Sequence, residues 1–246
     1  MIALLAGWGP VVLASKLDIY VEANPPFILA NGAHITGPFA DALTAITHNA
    51  GLEIRLLTLP VMRAAAVVEK QPSSCLFPAS YSAERAEVLF YLARVSPLYM
   101  LAYARNNKVI KLKALADLAA YKVGTYDIPE IRRQLESAKV NYYTIHDPKQ
   151  AMAMLLAKRF DVLIADNGLQ LRSQEEAVPI NAIYSLPPLE LWLACNRETP
   201  PEVLNRLRGA LQDGLYAPLT APVWERYRLI ALYSQVRRDW VPGLSR

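Results

Sequence analysis

The sequence predicts an α/β protein built as two lobes, and three observations lead there. Strand-like and helix-like runs alternate from Leu17 onward, the alternation restarts after Arg105, and two extended runs, LYMLAYAR and PLELWLACN, stand where the chain would cross between units. With 246 residues and a hydrophobic fraction of 53% there is enough apolar material for two modest cores.

The first unit opens with LDIYVEA, a strand broken by Asn24-Pro25-Pro26. After the turn at Asn31-Gly32, the stretch GPFADALTAITHNAG sets Phe39, Leu43, Ile46 and Ala50 at helical spacing and stops at Gly51, a glycine suited to the end of a helix. LEIRLLTLP is a second strand, VMRAAAVVEK a second helix and CLF a third short strand. Strand, helix, strand, helix, strand in that order predicts a parallel or mixed sheet with helices on its faces.

The second unit repeats the design without a detectable sequence repeat. ALADLAA is a short helix, YKVGTY a strand, and PEIRRQLESA a helix whose Pro129 sits in the first turn, where its missing N–H does no harm. Asp147 is placed to cap the helix KQAMAMLLAKR, and FDVLIAD follows as a buried strand. After PLELWLACN come two helices, the first with Thr199 and Glu202 spaced as a capping box and Leu204, Leu207 and Leu211 on one face. The two crossings divide the chain into a discontinuous first lobe, residues 16–103 and 190–246, and a second lobe, residues 104–189.

Composition narrows the function. The net charge of +4 comes from basic residues interspersed with acidic ones, and the densest pairs, Arg132-Arg133 and Arg237-Arg238, read as solvated faces, so no nucleic-acid partner is expected. The three histidines, His34, His48 and His146, lie in unrelated segments without ligand spacing, and the chain has no Gly-x-Ser-x-Gly elbow or phosphate-cradling glycine loop. No metal, no cofactor and no enzymatic activity are expected. Residues 1–15 carry no charge and end in small residues, which suits the apolar core of a secretory signal, or else an ordinary buried strand. The signal reading implies a periplasmic protein, and the segment has no cysteine for lipid attachment. Cys75 and Cys195 each lie inside an apolar run; buried free thiols are expected, with a bridge as the alternative in an oxidising compartment.

Five segments in this order, YVEANPPF, the helix after Gly37, PASYSAERAEVLFYLARVSPLY, KRFDVLIADN and ACNRETPPEVLNRL, resemble the family 3 bacterial extracellular solute-binding proteins, from Leu17 to Tyr227. The resemblance implies a type II periplasmic-binding-protein-like fold: two mixed-sheet lobes, two hinge strands, and a small-molecule ligand held in the cleft. It implies a monomer that binds an amino acid or related carboxylate and hands it to the membrane permease of an ABC importer. A dehydratase acting on cyclohexadienyl substrates, or a sensing module for a membrane signalling partner, are the alternatives on the same scaffold.

The resemblance also carries candidate residues. Ser80 lies five residues before Arg85, the family spacing for an arginine that grips a carboxylate, which the planar guanidinium fork matches; otherwise Arg85 is an exposed helix-start residue. Asp166 ends FDVLIAD where family members place a carboxylate for the ligand ammonium, at the carboxyl end of a strand, and it equally suits the cap of the following helix. Asn24 and Phe27 belong to the first cleft loop, Phe27 as an aromatic wall or as core. Glu22 is the acidic candidate near that loop, and Arg63 a second cation or a helix-surface residue. Thr125 precedes a helix whose free N–H groups suit an anion. Tyr126 is bulkier than the family's usual residue there, which bears on the ligand's identity more than on the fold.

Overall fold

The computed structural model describes residues 16–241, so the expected export segment lies outside the described residues. The chain runs β1 (Leu17–Val21), β2 (Leu29–Asn31), β3 (His34–Thr36), α1 (Pro38–Asn49), β4 (Ile54–Thr58), α2 (Val61–Lys70), β5 (Ser74–Ser80), α3 (Ala83–Ala86) and β6 (Leu89–Leu98). It continues with β7 (Met100–Arg105), a 3-10 turn, β8 (Val123–Tyr126), α4 (Pro129–Ser137), β9 (Tyr142–Ile145), α5 (Pro148–Leu156), β10 (Val162–Asp166), α6 (Asn167–Glu175) and β11 (Ile180–Ser185). It returns through β12 (Leu189–Asn196), α7 (Pro201–Ala210), α8 (Ala221–Arg226) and α9 (Ile230–Asp239).

Two five-stranded mixed sheets result, ordered β4-β1-β5-β12-β6 and β11-β7-β10-β8-β9. All five residues of β1 are buried, as a central strand covered on both faces requires. One face of the first sheet packs on α1 and the C-terminal helices through Leu17, Ile19, Phe39, Leu43 and Trp224. Its other face packs on α2 through Tyr20, Ala64 and Val68.

The chain changes sheets at Tyr99 and again at Leu186–Pro188. The extended runs are therefore strands of the sheets, and the crossings are the short segments beside them: β7 from Met100 pairs with β10 and β11, and β12 from Leu189 pairs with β5 and β6. Residues 100–103, expected in the first lobe, belong to the second sheet, and Leu189, expected in the second, opens β12 in the first. The reason is that an apolar run without Gly or Pro reads the same whether it bridges two sheets or lies inside one.

Register shows where the two sheets meet. Ser80, the last residue of β5, faces Leu191 near the start of β12, and Leu189 faces Leu98, the residue before the crossing. In the second sheet Asp166, the last residue of β10, faces Met100, the residue after it. Strands β1 and β5 are parallel, as are β8 and β10. The carboxyl ends of these parallel strands thus converge on Tyr99 from both sides, the arrangement in which α/β sheets hold ligands.

Two sequence expectations are corrected. Cys75 and Cys195 form a disulfide rather than free thiols; β5 and β12 pair antiparallel with these two residues directly opposite, a register that segments 120 residues apart do not disclose in sequence. The capping box at Thr199 does not form either. Pro200 occupies the cap of α7 with no side-chain hydrogen bond, and the Thr199 hydroxyl is buried without a partner among the described residues.

Candidate functional site

On the first lobe the loop after β1 is a tight turn in which the Asn24 carbonyl accepts from the Phe27 and Ile28 amides at 2.9 and 3.0 Å. Gly37, at φ +110°, lets α1 start against this loop, since a Cβ there would lie 2.5 Å from the Phe27 carbonyl oxygen. Phe27 is buried and stacks on Phe39 at 4.8 Å. Of its two sequence readings the core one describes most of the ring, yet its edge reaches the second lobe, 3.2 Å from where a Cβ on Gly168 would stand. Glu22 is exposed and accepts from the Val61 amide at 3.3 Å, so it caps the start of α2. Arg63 is exposed on α2 with no ion pair among the described residues.

The turn from β5 into α3 carries Ser80 and Arg85. Ser82 caps α3, its hydroxyl accepting from the Arg85 amide at 3.4 Å. Tyr91 on β6 ties the turn together: its hydroxyl donates to the Ser80 carbonyl at 3.0 Å and accepts from the Ser82 amide at 3.1 Å. Burial raises the Tyr91 phenol above its ordinary pKa while the nearby Arg85 charge pulls it down. The Arg85 side chain is half-buried and makes no hydrogen bond or ion pair among the described residues. Tyr81, 60% exposed, leans on Tyr91 with ring centroids 5.0 Å apart, and Tyr91 meets Trp192 edge-on at 6.1 Å.

On the second lobe Asp166 ends β10 and caps α6, accepting from the Gly168 amide at 2.8 Å. A Cβ on Gly168 would lie 2.6 Å from that carboxylate oxygen, so the glycine lets helix and cap approach this closely. The Tyr103 hydroxyl donates to the Asp166 carbonyl at 3.0 Å and pins the strand end. No ion pair reaches the carboxylate among the described residues. Burial raises its pKa above the ordinary aspartate value, against the opposing pull of the α6 amides and of Arg172. Tyr126, the last residue of β8, is buried with its hydroxyl unpaired, close enough to Asp166 and Arg172 to feel both charges. Thr125, on the opposite face of β8, is fully buried and its hydroxyl is also unpaired.

The two halves touch along one face of α6. Asn167 lines the gap by the crossing, Gly168 meets Pro26 and Phe27, Leu171 packs on the first lobe's core, and Arg172 donates to the Pro25 carbonyl. Spacing of one, four and five residues places these four on one helix face. The cavity enclosed by Asn24, Phe27, Leu98, Tyr99 and Asn167 measures about 10 Å³, room for roughly one water. The structure thus brings Asn24 and Phe27 to the Asp166 helix. Arg85 follows β5 on the first lobe and Asp166 ends β10 on the second, with no contact between them among the described residues; Ser80 stays with Arg85, and Glu22 and Arg63 sit at the α2 end of the first lobe.

Sequence reasoning missed Tyr91, Tyr103 and Arg172 altogether, since no local pattern marks a tyrosine that reaches a turn from another strand. It noticed Tyr126 only for its bulk. Among the described residues no group of three or more His, Cys, Asp or Glu is placed to hold a metal ion, and no helix is long and apolar enough to cross a membrane.

No protein-family model matches the sequence, and no curated protein does. Solved structures do. The VFT2 domain of Bordetella pertussis BvgS aligns at TM-score 0.71 with 17% identity, over 89% of this chain and 93% of that one. A histidine kinase sensor domain with similarity to periplasmic binding proteins aligns at 0.68 with 14% identity, over 93% and 96%. An ancestral arginine-binding protein bound to arginine aligns at 0.68 with 17% identity, over 86% and 97%. The chain has the two-lobed periplasmic-binding-protein-like fold, two mixed sheets flanked by helices.

Proposed function

We propose that this chain is a solute-binding protein of the family 3 extracellular type, which captures an amino acid or related carboxylate between its lobes and performs no chemistry on it. The observation that carries the reading is a pair of charges without ion-pair partners on facing edges, Arg85 after β5 and Asp166 at the end of β10. The first supplies a guanidinium fork for a carboxylate and the second an acceptor for an ammonium. Each charge alone binds any counter-ion, whereas the two on separate lobes hold both ends of a zwitterion only when the lobes are together. The buried disulfide supports export to an oxidising compartment, where such bonds form and persist.

The test is a thermal-shift screen of the purified protein against amino acids, polyamines and organic acids, followed by calorimetry. Arg85→Ala and Asp166→Ala should each weaken binding of the best hit at least roughly thirtyfold, since truncating one partner of a desolvated charge pair costs about 2 to 5 kcal/mol. Normal binding by the Asp166 variant with loss in the Arg85 variant makes the ligand a simple anion. Normal binding by both refutes the site.

Two partners fit this reading. Delivery to the permease of an ABC importer is the first. The likeness to a histidine kinase sensor domain and to the BvgS domain supports a second, presentation of the ligand to a membrane signalling protein. Co-purification from membranes with a permease or with a kinase separates them.

A further inference from the structure

Resting on the reading of the cleft as an amino-acid site, we infer that Tyr126 is a specificity-determining residue whose hydroxyl shares the ligand ammonium with the Asp166 carboxylate. The starting observation is an unsatisfied group. The Tyr126 hydroxyl is buried and has no hydrogen-bond partner among the described residues, and a buried hydroxyl left unpaired is costly in a folded protein. Its place in the sheet explains what it awaits. Strands β8 and β10 are parallel neighbours with Thr125 opposite Ile164, which sets Tyr126 level with Ala165, one residue before Asp166. The Tyr126 ring packs beside Ala165 and Leu169 under the start of α6, close enough to feel the Asp166 charge. The two are near neighbours yet not bonded to each other, and the nearby Tyr103 hydroxyl is already committed to the Asp166 backbone carbonyl. The Tyr126 oxygen is thus free to accept, and the carboxylate has lone pairs left after the Gly168 amide is bonded.

The group that satisfies both at once is one with several donors. A primary ammonium offers three, enough to give one to Asp166 and one to the Tyr126 oxygen. An analogue with hydrogen in place of the amino group gives neither, and it leaves the buried carboxylate uncompensated. Sites built around such paired polar groups reject the analogue that lacks the matching donor far more strongly than a hydrophobic pocket rejects a missing methylene. Tyr126 therefore sharpens the choice of amino acids over plain carboxylic acids, which a lone Asp166 makes less stringently.

The experiment is calorimetry on the purified protein, with each of the twenty L-amino acids as probes and, for the tightest, its analogue with hydrogen in place of the amino group. Tyr126→Phe keeps the ring and removes the hydroxyl. It should weaken the amino acid about tenfold, as loss of a hydrogen bond to a charged group does, leave the analogue within about twofold, and keep the melting temperature of the unliganded protein at or above that of the parent. Asp166→Asn should weaken the amino acid as well. Unchanged amino-acid affinity in Tyr126→Phe, or an equal loss for amino acid and analogue, overturns the inference while leaving amino-acid capture standing; indifference to Asp166→Asn overturns the inference and the Asp166 half of the proposed site together. Binding of none of the twenty overturns that capture reading and the inference with it.

Discussion

The two lobes present opposite kinds of half to the proposed site. On the first, the charge sits on a turn: Arg85 is half-buried, flanked by the exposed Tyr81, and held in place by hydrogen bonds that Tyr91 makes to the backbone around it. On the second, the charge is buried at a strand end, where water is scarce and the polar groups are incompletely paired. Of the four buried side-chain polar atoms without partners among the described residues, those of Arg105, Thr125 and Tyr126 lie in the second lobe and only that of Thr199 in the first. The cores differ in the same sense. Both lobes pack an apolar cluster on each face of their sheet, but the larger cluster of the first lobe is rich in aromatics, with Trp224 stacked on Tyr216 at 4.6 Å, and a disulfide runs through its sheet, whereas the two clusters of the second are smaller than that one. Polar groups left wanting are a cost to folding and a resource for binding, and the better-packed lobe is the one that can support a partner carrying that cost.

Removing the cross-link is the strongest way to break this contrast. Cys75→Ala combined with Cys195→Ala frees two central strands of the first sheet, and loss of a native disulfide typically costs about 2 to 5 kcal/mol. Urea unfolding followed by tryptophan emission should show the loss, because Trp192, Trp224 and Trp240 all belong to the first lobe. A midpoint unchanged from the parent protein would mean that packing around Phe39 and Trp224 carries the first lobe without the bond.

That bond also marks the limit of what the sequence discloses. The element order, the mixed sheets and the glycine stop after α1 are legible because hydrophobic period, Gly51 and the Pro positions act over a few residues, and the structure has α1 ending at Asn49 with Gly51 at φ +65°. Asp166 is legible in both its readings as a candidate, and its capping reading is realised in the bond to Gly168. What stayed hidden depends on register between distant segments. Cys75 meets Cys195 only through antiparallel pairing of β5 and β12, Tyr91 reaches Ser80 from another strand, and the α6 face that meets Pro25–Phe27 is defined by a neighbour on the other lobe. The capping box failed for a local reason, because Pro200 takes the cap position itself.

The second way to sharpen the contrast is through pH. Burial raises the Asp166 pKa in the folded protein, so the folded state holds that proton more tightly than the unfolded chain does. Its contribution to stability is then fully present below the ordinary aspartate pKa and is lost as pH rises through the folded value, because ionising the buried group costs the folded protein more than the unfolded chain. Asparagine caps a helix about as well as aspartate and carries no charge. Asp166→Asn should therefore raise the melting temperature of the unliganded protein at pH 7 and 8, with the gain shrinking to nothing at and below about pH 4, while it weakens ligand binding. A gain of equal size at every pH would trace the effect to something other than desolvation of the carboxylate.

The smallest effect separates a polar group kept for binding from one that is simply left over. Thr125 and Thr199 both bury an unpaired hydroxyl, but Thr125 stands at the carboxyl end of β8, on the edge facing the other lobe, while Thr199 follows the end of β12 on the side of the first sheet away from the cleft. Valine has nearly the same shape and no hydroxyl, so each substitution removes a desolvated group without opening a cavity. Thr125→Val and Thr199→Val should each stabilise the unliganded protein by up to about 1 kcal/mol or leave it unchanged, the opposite of the loss of about 1 kcal/mol that a working cap at Thr199 would give. With ligand present the two should part. Thr199→Val should bind as the parent does, whereas Thr125→Val should bind several-fold more weakly if, as the proposed site has it, the Thr125 hydroxyl meets the ligand's anionic end. Equal affinity in both variants would remove Thr125 from the proposed site and leave Tyr126 and Asp166 as its proposed polar groups on the second lobe.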